Sequence, residues 1–319
     1  MNIGFYAPAA DFANSILDEL KTKLPNVTWT QWQPGTPPPN SDTEVLLSLG
    51  PVTRDLLQKL PHLTLIQTLS DGYEAVDVNA ATELGIRVSY APGDVTGNAD
   101  SVAEYAVLLM LATARYLGVA IAAIRDRSIK IPGRGRPLLN ANVCIIGMGS
   151  IGAKIAHRLL TFGVHLTAVD LAPMHAPKHI PTTSPDHLKQ AVADADFVVL
   201  CVRASQENTH MINADVMQAM KKGAILINIA RGSLVDEKAL YQAIKSGHLG
   251  GAGLDVEEHE PIPLDDPLLT LPEVFITPHQ AGLTVLNAQG TVAYIVDVLD
   301  KLKSNKPIES QLNHPQAVR

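Results

Sequence analysis

The sequence predicts an α/β protein built from two doubly wound, parallel-sheet lobes. Two series of short apolar, strand-like runs alternate with helical patterns, and a long apolar helix separates the two series. The second series opens with a glycine-rich turn between a strand and a helix, an arrangement typical of a doubly wound sheet. A length of 319 residues is sufficient for two such lobes.

The first series runs from residue 2 to about residue 95. Helices are predicted near residues 12–24 and 53–60, and the strand candidates are NIGFYA, VTWTQW, EVLLSL, LTLIQT and IRVSY. Alternation of strands with helices favours parallel pairing, because parallel neighbours need a crossover connection. The series therefore predicts one α/β lobe.

The segment between the two series, residues 99–118, reads ADSVAEYAVLLMLATARYLG. It is rich in strong helix formers and has a continuous apolar side, with its one glycine at the end. We expect a single helix of about five turns that is buried on more than one face.

The second series contains six strand candidates, which are NVCIIG, VHLTAVD, FVVLCV, AILINIA, GAGLDV and VFITP. Helices are predicted from residue 150 and near residues 186–193, 214–220 and 237–246. A final amphipathic helix is predicted over about residues 284–303.

Composition argues against several classes of partner. The formal net charge is −7 and no run of Lys or Arg stands out, so we expect no nucleic-acid partner. No apolar run approaches the ~20 residues that a membrane span needs, and the first residues lack the pattern of a signal peptide. Cys144 and Cys201 lack a C-x-x-C or histidine-rich neighbourhood, so neither a metal nor a disulfide is expected. These features favour a cytoplasmic protein.

A glycine turn connects the strand NVCIIG to the helix that follows it. The turn reads Gly147-Met148-Gly149-Ser150-Ile151-Gly152 and matches G-x-G-x-x-G in the context that dinucleotide binding requires. In this pattern the first glycine permits a tight turn, the second lets backbone N–H groups approach a pyrophosphate, and the third allows close helix packing. A methyltransferase that uses a related turn is an alternative at this point.

The strand VHLTAVD ends in Asp170, which lies 18 positions after Gly152 and is followed by Leu171 and Ala172. A carboxylate at this position accepts hydrogen bonds from a ribose diol and repels a 2′-phosphate. The sequence therefore predicts NAD as cofactor, in preference to NADP.

Three polar residues follow three successive strand candidates. Arg231 follows AILINIA, Glu260 follows GAGLDV, and His279 follows VFITP. Ligands of open α/β sheets bind at the carboxyl ends of strands, so the three residues are candidates for one catalytic site. Taken singly, Glu260 could instead lie in a solvated acidic patch with Glu257 and Glu258. Arg231 with Gly232 could be a surface turn, and His279 could be a helix cap after Pro278. Together they supply what 2-oxo acid reduction requires, which is a guanidinium for the carboxylate, a proton donor, and a carboxylate that keeps the donor protonated.

Several motifs resemble those of the D-2-hydroxyacid dehydrogenase family, over almost the whole chain from about residue 45. These motifs are GMGSIG with Asp170, INIARGSLVDEKAL, GAGLDVEEHEP, ITPHQAGLT, LSDGYEAVD and NADSVAEYAVLLMLATAR. The resemblance implies a Rossmann-type cofactor domain, residues 98–283, inserted into a smaller flavodoxin-like substrate domain made of residues 1–97 and 284–319. It also implies a homodimer that forms through the cofactor domain.

The resemblance further implies a role for each matching position. Arg231 would bind the substrate carboxylate, His279 would be the acid/base, and Glu260 would pair with His279. Asp255 would hold the nicotinamide carboxamide. Substrate contacts are expected from Ser70, Asp71, Gly72, Arg231 and His279, and cofactor contacts from Thr96, Gly147, Gly149, Ser150, Ile151, Gly152, Asp170, Val202, Arg203, Thr209, Ala230, Arg231, Asp255 and His279.

One position departs from the family pattern. After FVVLCV the family usually has a Pro-Leu-Thr-like turn, whereas this chain has Arg203-Ala204-Ser205. A guanidinium close to the ribose could weaken the discrimination against NADP, or Arg203 could be a surface cation.

The sequence therefore predicts an NAD-dependent reductase of small 2-oxo acids. A phosphite or formate dehydrogenase of the same family is the nearest alternative enzyme, although the formate branch lacks the carboxylate partner of the histidine that Glu260 supplies here. A non-catalytic NAD(H)-sensing protein, similar to a corepressor, is an alternative from another class.

Overall fold

The computed structural model describes residues 1–128, 134–172, 177 and 179–316. The chain divides into two compact units, the first formed by Met1–Asn98 with Leu283–Arg319 and the second by Ala99–Gly282. Residues 129–133 and 317–319, which fall in the predicted cofactor and substrate domains respectively, lie outside the described residues.

The first unit contains a five-stranded parallel sheet in the order β2-β1-β3-β4-β5. This order is that of flavodoxin-like sheets. The strands are β1 Asn2–Tyr6, β2 Thr28–Trp32, β3 Val45–Ser48, β4 Leu65–Thr68 and β5 Arg87–Ser89. The helices are α1 Asp11–Lys23, α2 Arg54–Gln58, α3 Val78–Glu83, α4 Gly93–Thr96 and, from the end of the chain, α11 Val285–Lys303.

Apolar cores lie on both faces of this sheet. One core joins Ile3 and Val45 to α1 and α11, and the other joins Leu46 and Ile66 to α2 and α3. All four residues of β3 and all four of β4 are buried. Burial on both faces explains why these strands read as continuous apolar runs and not as alternating ones.

The second unit contains a seven-stranded parallel sheet in the order β12-β11-β10-β9-β6-β7-β8. The strands are β6 Asn142–Ile146, β7 His165–Val169, β8 Thr182–Thr183, β9 Phe197–Leu200, β10 Ile225–Asn228, β11 Gly251–Leu254 and β12 Val274–Ile276. The α-helices are α5 Asn98–Ala114, α6 Leu117–Arg125, α7 Ser150–Leu160, α8 Leu188–Val192, α9 Ala214–Ala219 and α10 Glu237–Lys245. Short 3-10 helices span Pro185–His187, Gly232–Leu234 and Pro267–Thr270.

Strands β8, β7, β6, β9, β10 and β11 reproduce the 3-2-1-4-5-6 order of dinucleotide-binding sheets, and β12 adds a seventh strand. The predicted fold class, a Rossmann-type unit together with a flavodoxin-like unit, is therefore confirmed. Strand β8 was missed because it has two residues and pairs only with β7.

The predicted single helix over residues 99–118 is wrong at its end. Helix α5 stops at Ala114, and α6 begins at Leu117 after a turn in which Tyr116 has a φ of 53°. The backbone N–H of Arg136 donates to the carbonyl of Ala114 at 2.9 Å, so a later segment supplies a hydrogen-bond partner at the end of α5. This point has no proline and no internal glycine, so no local sequence pattern indicated the break.

Within the described ranges, no single helix is long and apolar enough to span a membrane. Helices α5 and α6 pass by length and composition only when taken together, and they are bent by 65°.

Candidate active site

The three predicted catalytic residues follow three neighbouring strands of the second unit. Arg231 follows β10, Glu260 follows β11, and His279 follows β12. These strands lie side by side and run parallel, so their carboxyl ends meet at the same edge of the sheet.

Glu260 and His279 are in direct contact. The Nδ1 atom of His279 lies 2.7 Å from Oε2 of Glu260, and the two side chains are 50% and 34% exposed respectively. The hydrogen bond to Glu260 raises the pKa of His279, although burial and the charge of Arg231 oppose this. Burial alone would raise the pKa of Glu260, but the hydrogen bond and charge of His279 reverse this effect and lower it. The pair thus favours an imidazolium next to a carboxylate.

A buried asparagine shapes the turn that carries Arg231. Asn228, at the end of β10, is buried; its Nδ2 donates to the carbonyl of Arg231 at 2.9 Å, and its Oδ1 accepts from the N–H of Ala230 at 3.0 Å. Gly232 lies against the loop that follows β11, where an added Cβ would overlap the backbone carbonyl of Glu257. The turn after β10 is therefore pressed against the loop after β11. The charge of Arg231 contributes to the lowered pKa of Glu260 and opposes the rise in the pKa of His279.

Asp255 organises the loop that carries His279. Its carboxylate accepts hydrogen bonds from Oγ1 of Thr277 at 2.6 Å and from the N–H groups of Gln280 at 2.9 Å and Ala281 at 2.8 Å. Its carbonyl accepts from the N–H of His279 at 2.8 Å, and the residue is 1% exposed. These bonds hold His279 in the left-handed region, with a φ of 49°. Sequence reasoning missed this structural function of Asp255, because it depends on donors more than 20 positions away.

The glycine turn has the shape that the motif predicts. Gly147 has a φ of 99°, and a Cβ on it would lie 2.6 Å from the N atom of Val202. A Cβ on Gly152 would overlap the carbonyl oxygen of Gly147, whereas a Cβ on Gly149 would have no atom within 4 Å. The first and third glycines thus serve packing, and the second leaves open space at the N-terminus of α7. That space and the backbone donors beside it fit the pyrophosphate of a dinucleotide.

Asp170 is bound to this turn. One carboxylate oxygen accepts from the N–H of Met148 at 2.6 Å, and the other accepts from the N–H of Ala172 at 2.7 Å. The structure thus places a carboxylate next to the glycine turn at the end of β7, the position that a ribose-binding acid requires.

The remaining cofactor candidates of the second unit lie in the segments that follow β6, β9 and β10. Ser150 and Ile151 begin α7, Val202 and Arg203 follow β9, and Ala230 follows β10. In the segment after β9, Nδ2 of Asn208 donates to the carbonyl of Arg203 at 2.8 Å, and Oγ1 of Thr209 donates to the carbonyl of Ser205 at 3.2 Å.

The predicted substrate loop follows β4 in the first unit. The hydroxyl of Ser70 donates to the carbonyl of Gly72 at 3.0 Å, and the carboxylate of Asp71 accepts from the N–H of Gly93 at 3.0 Å. Thr96, in the same unit, is buried at the end of α4. The loop Ser70 to Gly72 is therefore tied to the segment that begins α4.

Alanine at Gly152 and at Gly149 should affect different properties. Gly152→Ala should lower the free energy of unfolding by about 1–3 kcal/mol, because its Cβ would overlap a backbone oxygen. Gly149→Ala should leave thermal stability almost unchanged but weaken NADH binding, since its Cβ would occupy the open space at the turn. Thermal unfolding and a fluorescence titration with NADH measure the two effects, and equal loss of stability in both variants would contradict the assignment.

Comparison with known proteins identifies the family. The profile of the family "D-isomer specific 2-hydroxyacid dehydrogenase, NAD binding domain" matches residues 107–281. A glyoxylate reductase from Korarchaeum cryptofilum is 36% identical over 254 residues, covering 76% of this chain and 74% of that protein. A hydroxypyruvate reductase from Thermotoga maritima is 36% identical over 268 residues, covering 83% and 84% respectively.

Among solved structures, an NAD-dependent formate dehydrogenase from Staphylococcus aureus in complex with NAD is 25% identical. It covers 99% of this chain with a TM-score of 0.85, and this chain covers all of it. The family, the enzyme class and the NAD cofactor expected from the sequence are confirmed. The chain belongs to the D-isomer-specific 2-hydroxyacid dehydrogenase family and is an NAD-dependent oxidoreductase.

Proposed function

We propose that this enzyme reduces a small 2-oxo acid to the D-2-hydroxy acid, with His279 as the acid/base, Glu260 as its partner and Arg231 as the carboxylate-binding residue. The observation that carries the proposal is the hydrogen bond between His279 Nδ1 and Glu260 Oε2. It lies at the carboxyl ends of the parallel strands, at the same edge of the sheet as the turn that carries Arg231. The names of two relatives, glyoxylate reductase and hydroxypyruvate reductase, support a small 2-oxo acid as substrate.

His279 would donate its proton to the carbonyl oxygen of the substrate. Because Nδ1 is bound to Glu260, the proton would come from Nε2, the other ring nitrogen. Glu260 stabilises the imidazolium, so the acid form persists to higher pH than for an isolated histidine. In the oxidative direction the neutral imidazole would take the same proton from the hydroxyl group.

Arg231 would bind the substrate carboxylate through charge-assisted hydrogen bonds and so orient the carbonyl group. Its turn is well suited to this task because Asn228 and Gly232 fix the backbone on both sides. A role for Ser70, Asp71 and Gly72 in binding the same carboxylate, and for Thr96 near the cofactor, is supported by the family resemblance alone. The first unit would then be the substrate domain, and the second the cofactor domain.

When bound, NADH supplies the hydride that is added to the 2-carbon of the substrate. The turn from Gly147 to Gly152 would hold the pyrophosphate, and Asp170 would accept hydrogen bonds from the ribose diol. Asp255 would also contact the nicotinamide carboxamide, and Ser150, Ile151, Val202, Arg203, Thr209 and Ala230 would line the rest of the cofactor site. The carboxylate of Asp170 favours NADH over NADPH, and Arg203 would limit the size of that preference.

Of the alternative enzymes, a formate dehydrogenase is disfavoured on a specific ground. The formate-oxidising branch lacks a carboxylate partner for the histidine, whereas Glu260 contacts His279 here. Assays with 2-oxo acids and with phosphite distinguish phosphite oxidation and non-catalytic NAD(H) sensing from the proposed function.

We also infer a homodimer that forms through the second unit, in the cytoplasm. Helix α6 has no buried residue, and Leu117, Ile121 and Ile124 share one face of it at exposures of 39%, 42% and 77%. An apolar helix face of this kind is typical of a subunit interface. Cys144 and Cys201 are free thiols, which suits a reducing compartment.

A panel of 2-oxo acids tests the proposed reaction. The wild-type enzyme should oxidise NADH in the presence of glyoxylate, hydroxypyruvate or pyruvate, with a higher kcat/KM for NADH than for NADPH. His279→Ala should lower kcat by about 10²- to 10⁴-fold with the best substrate. Absorbance of the reduced coenzyme measures both quantities.

Three results of this assay would contradict the proposal. The absence of turnover with every 2-oxo acid would favour phosphite oxidation or NAD(H) sensing. Reduction of NAD by phosphite would then indicate a phosphite dehydrogenase, and coenzyme binding without turnover would indicate a sensor. Near-normal turnover of His279→Ala would remove this residue from the mechanism. A preference for NADPH would remove Asp170 from the proposed ribose contact.

The inferred dimer is tested by light scattering. Ile124→Glu should convert the dimer to a monomer, because it places a charge on the apolar face of α6. Leu264→Glu is a matched control, since Leu264 is 96% exposed in the same unit and lies outside α6. A wild-type monomer, or a dimer that survives Ile124→Glu, would argue against this interface.

A further inference from the structure

One buried acid near the His279–Glu260 pair has no role in the reaction proposed above. Glu257 follows β11, is 5% exposed, and its Oε1 atom is buried without a hydrogen-bond partner among the residues that the structure describes. A buried, ionised carboxylate oxygen that receives no hydrogen bond is strongly unfavourable, and a neutral carboxyl group is less so. The surroundings therefore favour the protonated form of Glu257.

Glu257 is connected to the acid/base pair through Glu260. Its backbone N–H donates to Oε1 of Glu260 at 3.4 Å, and the other oxygen of Glu260 lies 2.7 Å from Nδ1 of His279. On its other side, the carbonyl of Glu257 is packed so closely against Gly232 that a Cβ there would overlap it. Glu257 is therefore held in place between the Arg231 turn and the pair.

Most of the charged groups around Glu257 are acidic. Asp255 and Glu260 come from its own loop, Glu237 from the first turn of α10, and His279 from the loop after β12. Burial, followed by repulsion from Glu260, Glu237 and Asp255, raises the pKa of Glu257 to about 7, and the charge of His279 opposes this. The group thus changes its charge in the neutral range.

We propose that Glu257 is a positioning residue of the acid/base pair, a buried proton-carrying carboxyl group that acts on His279 through Glu260. This role rests on the proposed function, in which His279 donates the proton. At acidic pH Glu257 is neutral and leaves the pair unaffected. Above neutral pH it releases its proton to solvent, and the new negative charge stabilises the imidazolium of His279. The acid form of His279 then persists further into the alkaline range.

The pH dependence of 2-oxo acid reduction tests this role. Glu257→Gln preserves the shape of the neutral acid but cannot ionise. Its kcat/KM should equal that of the wild type below about pH 6, and its alkaline limb should lie at lower pH by about half a unit. Glu273→Gln is the control, because it removes one carboxylate just before β12, at the end of that strand opposite His279, and should leave the limb in place. An unmoved limb in Glu257→Gln, or an equal shift in both variants, would overturn the proposal.

Thermal stability gives a readout that does not require turnover. The pKa of Glu257 is higher in the folded protein than the ordinary 4.5, so its stabilising proton is fully bound below about pH 4.5 and is lost as the pH rises through about 7. The melting temperature of Glu257→Gln should therefore rise relative to wild type between pH 5 and pH 8. A pH-independent difference would show that Glu257 does not titrate there and would overturn the proposal.

If Glu257→Gln does not fold, a carbon NMR titration of wild-type protein labelled at the glutamate carboxyl groups replaces it. One carboxyl group titrating near pH 7 supports the proposal, and its absence overturns it. A wild-type enzyme that reduces no 2-oxo acid would refute the proposed function. The stability and NMR data would still decide whether Glu257 carries a proton. Failure of the proposed function can therefore be distinguished from failure of the proposed role of Glu257.

Discussion

The candidate site depends on one buried carboxylate. Asp255 accepts three hydrogen bonds from the segment around His279, and its carbonyl accepts a fourth from the N–H of His279 itself. Because a buried carboxylate without donors is very costly, these bonds fix the path of the loop after β12. That path places the imidazole against Glu260. The proposed acid/base histidine thereby has a defined position on a loop.

The electrostatics of the site follow from its position at the carboxyl end of the sheet. Burial of acidic groups would by itself favour their neutral forms, and Glu257 and Glu237 show this effect in their raised pKa values. Glu260 is the exception, since the hydrogen bond and charge of His279 reverse the effect of burial and keep it ionised. These neighbouring carboxyl groups thus differ in their preferred charge because Glu260 is hydrogen-bonded to the His279 ring, whereas burial has the largest effect on Glu257 and Glu237. This division of charge lets one histidine remain an acid near neutral pH.

The sequence was sufficient to predict the features that depend on local pattern. Apolar runs predicted all five strands of the first unit and six of the seven in the second. The spacing of the glycines predicted the glycine turn. The association of Arg231, Glu260 and His279 followed from their places after parallel strands, and the structure brings Glu260 and His279 into contact.

Features that depend on contacts between residues far apart in the chain could not be predicted from the sequence. At the end of α5, the carbonyl of Ala114 accepts a hydrogen bond from the N–H of Arg136. No sequence feature near Tyr116 predicts its left-handed conformation. The sequence suggested that Glu257 is one of several solvated acids. In the structure Gly232 packs against its backbone, and the residue is buried. In each case the decisive neighbour is more than 20 positions away along the chain, beyond the reach of local pattern.

An NMR titration of the His279 ring in the wild type and in Glu260→Gln tests directly whether Glu260 keeps His279 protonated. We expect a wild-type pKa above the ordinary 6.5 and a lower pKa in the variant, because loss of the carboxylate removes the group that raises it. The same pKa in both proteins, or a wild-type value at or below 6.5, would show that Glu260 does not stabilise the imidazolium.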